Sequence, residues 1–248
     1  MEPIVVDLLI DHGIVVTMDP QNRVLRDGAV AVKGKAIVAV GPSAEVRARY
    51  QAARVLDARH KIVMPGLVDT YGHAGHGLIK GIHNPDMGWP SGPLYFHAAD
   101  EEWWYAEGLL SALERVKFGV TCGFTVVGAT PARMDSPVFA ERQADAIAKV
   151  GARGVLGIGP PDPYYSHLPE PWEGTLWEGG RPHRRRFTYE EAVQNTVTVI
   201  EGRHGSAEGR VRTALHFPYL FGRQASHPRI PFTYKDEYVP TMIEKAEE

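Results

Sequence analysis

Short apolar runs separated by turn residues fill the first sixty positions, and from about residue 63 such runs alternate with stretches of helical period. Val5 to Ile10 and Gly13 to Met18 predict two strands on either side of a break at Asp11-His12. Ala29 to Val32 and Ala36 to Val40 predict a hairpin across Lys33-Gly34-Lys35, with the glycine that such a loop wants. A short surface helix is expected over Ala44 to Tyr50, and a strand again over Ala53 to Asp57.

The second stretch reads as β–α units on a parallel sheet. Asp100-Glu101-Glu102 opens a helix, since the first residue can cap it and the next two oppose the positive end of its dipole. Gly119 closes that helix, and Ala106, Leu109, Leu110, Leu113 and Val116 form its expected inner face. Val120 to Val127 predicts a strand, Ser136-Pro137 starts a helix to Val150, and Gly154 to Gly159 predicts the next strand. Thr188-Tyr189-Glu190-Glu191 has capping-box spacing before a helix whose inner face would be Val193, Val197 and Ile200. Val211 to Phe217 predicts a fourth strand, and a last helix falls within Tyr234 to Glu248. Residues 81–99 and 160–187 read as long loops.

Composition narrows the class. The chain has 248 residues, 44% of them hydrophobic, enough for one large or two small domains. A net charge of −3 gives no reason to expect nucleic acid or a membrane surface as partner. The single cysteine, Cys122, fits a reducing compartment, and with no signal-peptide pattern the expected location is the cytoplasm. Arg184-Arg185-Arg186 is too short and isolated to change that reading. A glycine run from Gly151 to Gly159 lies within a strand, not at a phosphate-binding turn, and no Gly-x-Ser-x-Gly elbow is present.

The stretch from Ile62 to Gly81 carries the chemistry. An apolar run turns at Pro65-Gly66, resumes at Leu67-Val68, and ends in Asp69-Thr70-Tyr71-Gly72-His73-Ala74-Gly75-His76. A buried strand that delivers ligands at its tip has this form. From Pro65 to Thr70 it resembles the first barrel strand of the metal-dependent amidohydrolase superfamily, in its cytosine-deaminase and chlorohydrolase-like branch. The signature there is roughly Pro-Gly-Leu-Val-Asp-Thr-His-x-His. Tyr71 stands where the family has its first metal-binding histidine, and His73 falls on the second.

The resemblance implies a (β/α)8 barrel preceded by a small β-sandwich, with a divalent metal, Zn or Fe, that activates water against carbon–nitrogen bonds of small amides or nitrogen heterocycles. On these grounds His73 is a candidate ligand, His76 is brought near it by the surrounding glycines, and Tyr71 replaces a ligand as a phenol. His216, at the end of the fourth strand, is a candidate for substrate contact, as are Trp89, Tyr95 and Phe96 in the loop after the first strand. Alternation should place Asp69 on the opposite face from Thr70, where it would organise the neighbouring strand or loop.

Only about four β–α units can be counted, whereas a closed eight-stranded barrel needs roughly 250 residues. The expected organisation is therefore α/β: residues 1–62 as part of the β-sandwich, and 63–248 as the N-terminal half of the barrel. This reading makes the chain a truncated product, a split subunit or an incomplete reading of a longer gene. The alternative is a catalytically inactive half-barrel, or a partner subunit that binds a second half-barrel chain or its own copy through the open edge.

Overall fold

In a computed structural model, the structure describes residues 2–74, 76–82, 94–127, 133–159 and 169–216. The chain divides into two compact units, Met1–Gly66 and Leu67–Glu248.

The first unit is a five-stranded sheet. Its strands are β1 (Ile4–Val16), β2 (Val24–Lys33), β3 (Ala36–Pro42), β4 (Tyr50–Asp57) and the short β5 (Ile62–Val63), in the order β3-β2-β1-β4 with β5 also beside β1. β1 runs antiparallel to β2 and parallel to β4 and β5. Helix α1 (Ser43–Arg49) contributes Val46 to a core of Val6, Leu9, Ala29 and Ala31. The expected break at Asp11-His12 is instead a bulge inside one continuous strand. His12 has a φ of 60°, its backbone N–H donates to the Asp11 carboxylate at 3.0 Å, and its Nδ1 meets Asp27 at 2.9 Å. Local polar bonds replace the ladder at that point, so the strand bends without ending.

The second unit is built on a four-stranded parallel sheet. Strands β6 (Leu67–Ala74), β7 (Val120–Val127), β8 (Arg153–Ile158) and β11 (Val211–Leu215) lie side by side in chain order. Helices α2 (Glu101–Lys117), α3 (Val138–Val150) and α4 (Tyr189–Arg203) fall between successive strands. The class is thus α/β with a parallel sheet. Trp104, Phe139, Leu156, Phe187, Tyr95 and Phe96 are fully or almost fully buried in one core cluster. Among the described residues, no helix is long and apolar enough to cross a membrane.

The expected helix starts are present. The Asp100 carboxylate accepts the Trp103 N–H at 2.7 Å, and Thr188 and Glu191 form a reciprocal capping box. Asp100→Ala should cost about 1 kcal/mol, read as a lower urea midpoint of the second unit.

The inner faces differ from expectation. On α2 the buried positions are Trp104, Glu107, Gly108 and Ala112, while Leu113 and Val116 are exposed. Gly108 lies so close to α3 that a Cβ there would stand 2.9 Å from that of Ala146. Close helix approach selects small residues for the contact and leaves the larger aliphatics outside. On α4 the buried face is Tyr189, Ala192, Thr196 and Val199, with Val193 and Ile200 on its margin.

The loop expected over 160–187 contains a hairpin, β9 (Trp172–Glu178) and β10 (Arg181–Phe187). A π-type turn, Leu94–Ala98, precedes α2. One buried guanidinium ties these pieces together. Arg133, 0% exposed, donates to Asp135 at 2.7 and 3.0 Å, to the Ala99 carbonyl at 3.1 Å, and to the carbonyls of Tyr95 and Thr175. It also lies 3.8 Å from the centre of the Phe139 ring. The last helix expected in Tyr234 to Glu248 lies outside the described residues.

Candidate functional site

The tip of β6 organises the site, and a bulge sets which way its side chains face. Asp69 pairs with Gly123 and Gly72 with Thr125, so β6 carries one extra residue between them. Asp69 and Gly72 consequently share one face, toward α2. There Arg115 donates to Asp69 at 2.9 Å and also bonds Ser111 and Thr125. A Cβ on Gly72 would stand 2.5 Å from the Arg115 guanidinium, so a larger residue here would push that side chain away from Asp69. Asp69 thus anchors the strand to helix α2, where the expectation was the neighbouring strand or loop.

Tyr71 and His73 take the other face, where Phe124 of β7 and His216 after β11 meet them. The Tyr71 ring stacks on Phe124 at 6.0 Å and stands edge-on to His73 at 5.4 Å. Its hydroxyl lies 3.3 Å from His216 Nε2. His76 comes back toward His73, with ring centroids 5.6 Å apart. Two imidazoles sharing one Zn²⁺, each at a Zn–N distance of about 2.0–2.1 Å, have centroids roughly 5 Å apart, so this spacing suits a shared cation.

The protonation chemistry agrees. Burial, and after it the charge of His73, lowers the pKa of both His76 and His216. Both are therefore neutral imidazoles at neutral pH, the form that binds a metal. Tyr95 places its hydroxyl 3.0 Å from His76 Nδ1, and burial raises the pKa of that phenol, with Glu107 adding to the effect. The tautomer in which Nδ1–H donates to the phenol oxygen leaves the lone pair on Nε2 for a cation. Among the described residues, no group of three His, Cys, Asp or Glu side chains stands close enough to hold an ion. The two imidazoles, with the Tyr71 phenol beside them, fit one side of a metal centre, and a catalytic zinc takes a third protein ligand.

The remaining candidates fall in different places. Tyr95 and Phe96 are 0% exposed, so neither lines the rim of an open loop. Phe96 stacks on Phe187 in the core, and Tyr95 reaches the site only through its hydroxyl. Trp89 lies outside the described residues, as do His83 and residues 160–165. His97 binds the Thr175 hydroxyl at 3.1 Å, away from the cluster. Sequence reading missed Glu107 and Gln143, which bond the loop after β6. Their only signal is a polar residue on a buried helix face, and that shows only once the face is known.

Comparison with known proteins places this geometry. Residues 28–50 match a bacterial imidazolonepropionase-like composite domain. The chain is 32% identical over 169 residues to a 5-methylthioadenosine/S-adenosylhomocysteine deaminase of Syntrophobacter fumaroxidans, covering 65% of this chain and 36% of that protein. It is 28% identical over 244 residues to a 5'-deoxyadenosine deaminase of Methanococcoides burtonii, covering 97% of this chain and 46% of that one. A zinc-bound adenosine deaminase from Xanthomonas campestris shares the fold, with a TM-score of 0.64 and 24% identity over 86% of this chain and 43% of that one. The chain spans about half the length, or less, of the curated relatives it matches. With the Pro65-Gly66-Leu67-Val68-Asp69-Thr70 lead into His73, these matches bear out the chain's resemblance to the amidohydrolase superfamily.

Proposed function

We propose that this chain supplies one side of the active site of a metal-dependent hydrolase acting on carbon–nitrogen bonds of small amides or nitrogen heterocycles. The observation that carries the reading is the His73–His76 pair at the tip of the first parallel strand. In this reading the parallel sheet is half of a (β/α)8 barrel, residues 63–248, and residues 1–62 form part of a β-sandwich. The protein works in the cytoplasm. A divalent cation, Zn or Fe, supplies when bound an acidified water and a polarised substrate atom. His73 and His76 hold the cation, and Tyr71 stands beside them where family members carry another imidazole. His216, oriented by the Tyr71 hydroxyl at 3.3 Å, faces the space a planar ring would occupy. Deaminases among the relatives favour an amino-substituted heterocycle as the substrate class.

A second reading has its own support. Among the described residues, β6 and β11 are the outer strands of the parallel sheet, and Val68, Leu113, Val116 and Phe118 are exposed, the last at 75%. An inactive half-barrel that binds a second half-barrel chain, or another copy of itself, would use such a face. Zinc titration of the purified chain separates the two. The hydrolase reading expects one Zn²⁺ per chain under zinc supply, held through His73 and His76, and absence of stoichiometric metal under those conditions leaves only the second reading.

A further inference from the structure

Resting on the metal reading above, we infer that Glu107 and Gln143 are positioning residues that clamp the loop after β6 and so set His76 against His73. Glu107 is 1% exposed on α2, and its two carboxylate oxygens accept the backbone N–H groups of Gly77 and Leu78, each at 2.7 Å. Gln143 is 0% exposed on α3 and donates its Nε2–H to the Ala74 carbonyl at 2.9 Å. His76 lies between the two grips. The Tyr95 hydroxyl also meets its Nδ1 at 3.0 Å, and Arg133 in turn bonds the Tyr95 carbonyl.

The cost of this arrangement points to geometry as its purpose. Backbone N–H groups of a surface loop are satisfied by water, so no buried carboxylate is needed to solvate them. Burying a carboxylate is unfavourable unless its hydrogen bonds are made. Here it sits on the same helix face as Trp104 and Gly108, and its bonds form with one loop conformation only. The loop is shaped to match. A Cβ on Gly77 would stand 2.7 Å from the Glu107 carboxylate and 2.8 Å from Leu110, so glycine lets the amide come up to the acceptor. Among the described residues, Gln143 Oε1 has no hydrogen-bond partner. Its Nε2–H bond to the Ala74 carbonyl is made from a fully buried side chain. Outer-shell partners of this kind are worth about 10–100-fold in metal affinity.

The test compares Glu107→Gln, Glu107→Ala and Gln143→Ala with Val199→Ala, a core truncation on α4 that serves as a stability-matched control. Glutamine keeps the size but has one acceptor oxygen, and its amide N–H opposes one of the loop N–H groups. Two readouts are taken: Zn²⁺ affinity by chelator competition, and the ring signals of His73 and His76 in metal-free protein by NMR. The expected result is a loss of affinity of about tenfold or more in Glu107→Gln, with displaced His76 signals. Val199→Ala should lose comparable thermal stability and neither property. If Glu107→Ala does not fold, Glu107→Gln and Gln143→Ala decide the matter. The inference is overturned if both of those keep affinity within twofold and leave the His76 signals unmoved, or if Val199→Ala changes them equally. Should the wild-type chain hold no zinc, the metal reading fails alone. The His76 signals then decide the positioning role, which stands if Glu107→Gln moves them and Val199→Ala does not.

Discussion

Changing His73 to alanine is expected to weaken Zn²⁺ binding by more than about 100-fold, because loss of a ligand should exceed the 10–100-fold effect of an outer-shell partner. His73 is the hub of the cluster. Tyr71 stands edge-on to it at 5.4 Å, and His76 lies at 5.6 Å. His183→Ala, which removes an exposed imidazole from the β9–β10 hairpin, is the control and should leave binding unchanged. The reverse substitution gives an opposite sign. Tyr71→His restores the paired imidazoles of the family motif on the same strand face, and should tighten Zn²⁺ binding by about tenfold or more, at the expense of the contact with His216. Isothermal titration at pH 7 with folded variants reads both effects. Wild-type affinity in His73→Ala, with Tyr71→His no tighter, would remove His73 from the site.

Much of this is legible in the sequence, and the divisions are physical. Asp100, Thr188 and Glu191 act within one helical turn, so their caps follow from local spacing. The Pro65-Gly66 turn into β6 is equally local. The bulge between Asp69 and Gly72 is not, because it depends on which residues of β7 lie opposite. That bulge puts Asp69 on the face opposite Tyr71 and His73, which regular alternation would have placed with it. The inner face of α2 was misread because its buried positions include a glycine at a helix contact and a carboxylate that serves a loop. Hydrophobic periodicity cannot see either. The β9–β10 hairpin escaped for a related reason. β10 runs Arg181-Pro182-His183-Arg184-Arg185-Arg186, polar on both faces, so there is no alternation to read until Phe187 enters the core. Tyr95 was identified as an aromatic in a specificity loop, and its actual link to the site is a single hydroxyl, reached from a fully buried ring.

That buried ring depends on Arg133, and Arg133→Met should be the most destabilising single change in the second unit. The guanidinium and the Asp135 carboxylate are both 0% exposed and joined by two hydrogen bonds. Removing one partner of a buried pair costs about 3–5 kcal/mol, because the other charge remains in a low-dielectric site. Methionine keeps packing volume against Phe139 but leaves three carbonyls, of Tyr95, Ala99 and Thr175, without this donor. All five tryptophans lie beyond residue 66, so tryptophan fluorescence during urea unfolding reports on this unit alone. The loss should also depend on pH with a defined sign. Burial pushes the Asp135 carboxyl up and Arg133 opposes it. Without the arginine nothing strong holds it down, and its folded pKa stands above the unfolded value of about 3.9. The variant is then least impaired below that unfolded value, where the carboxyl is protonated in both states. Its stability falls as pH rises through the folded pKa. Arg133→Met combined with Asp135→Asn removes the titrating group, so this pH-dependent loss should vanish and part of the stability return. A loss below about 1 kcal/mol in Arg133→Met, or a pH dependence that survives Asp135→Asn, would mean that this ion pair does not hold the turn, the helix lead and the hairpin together.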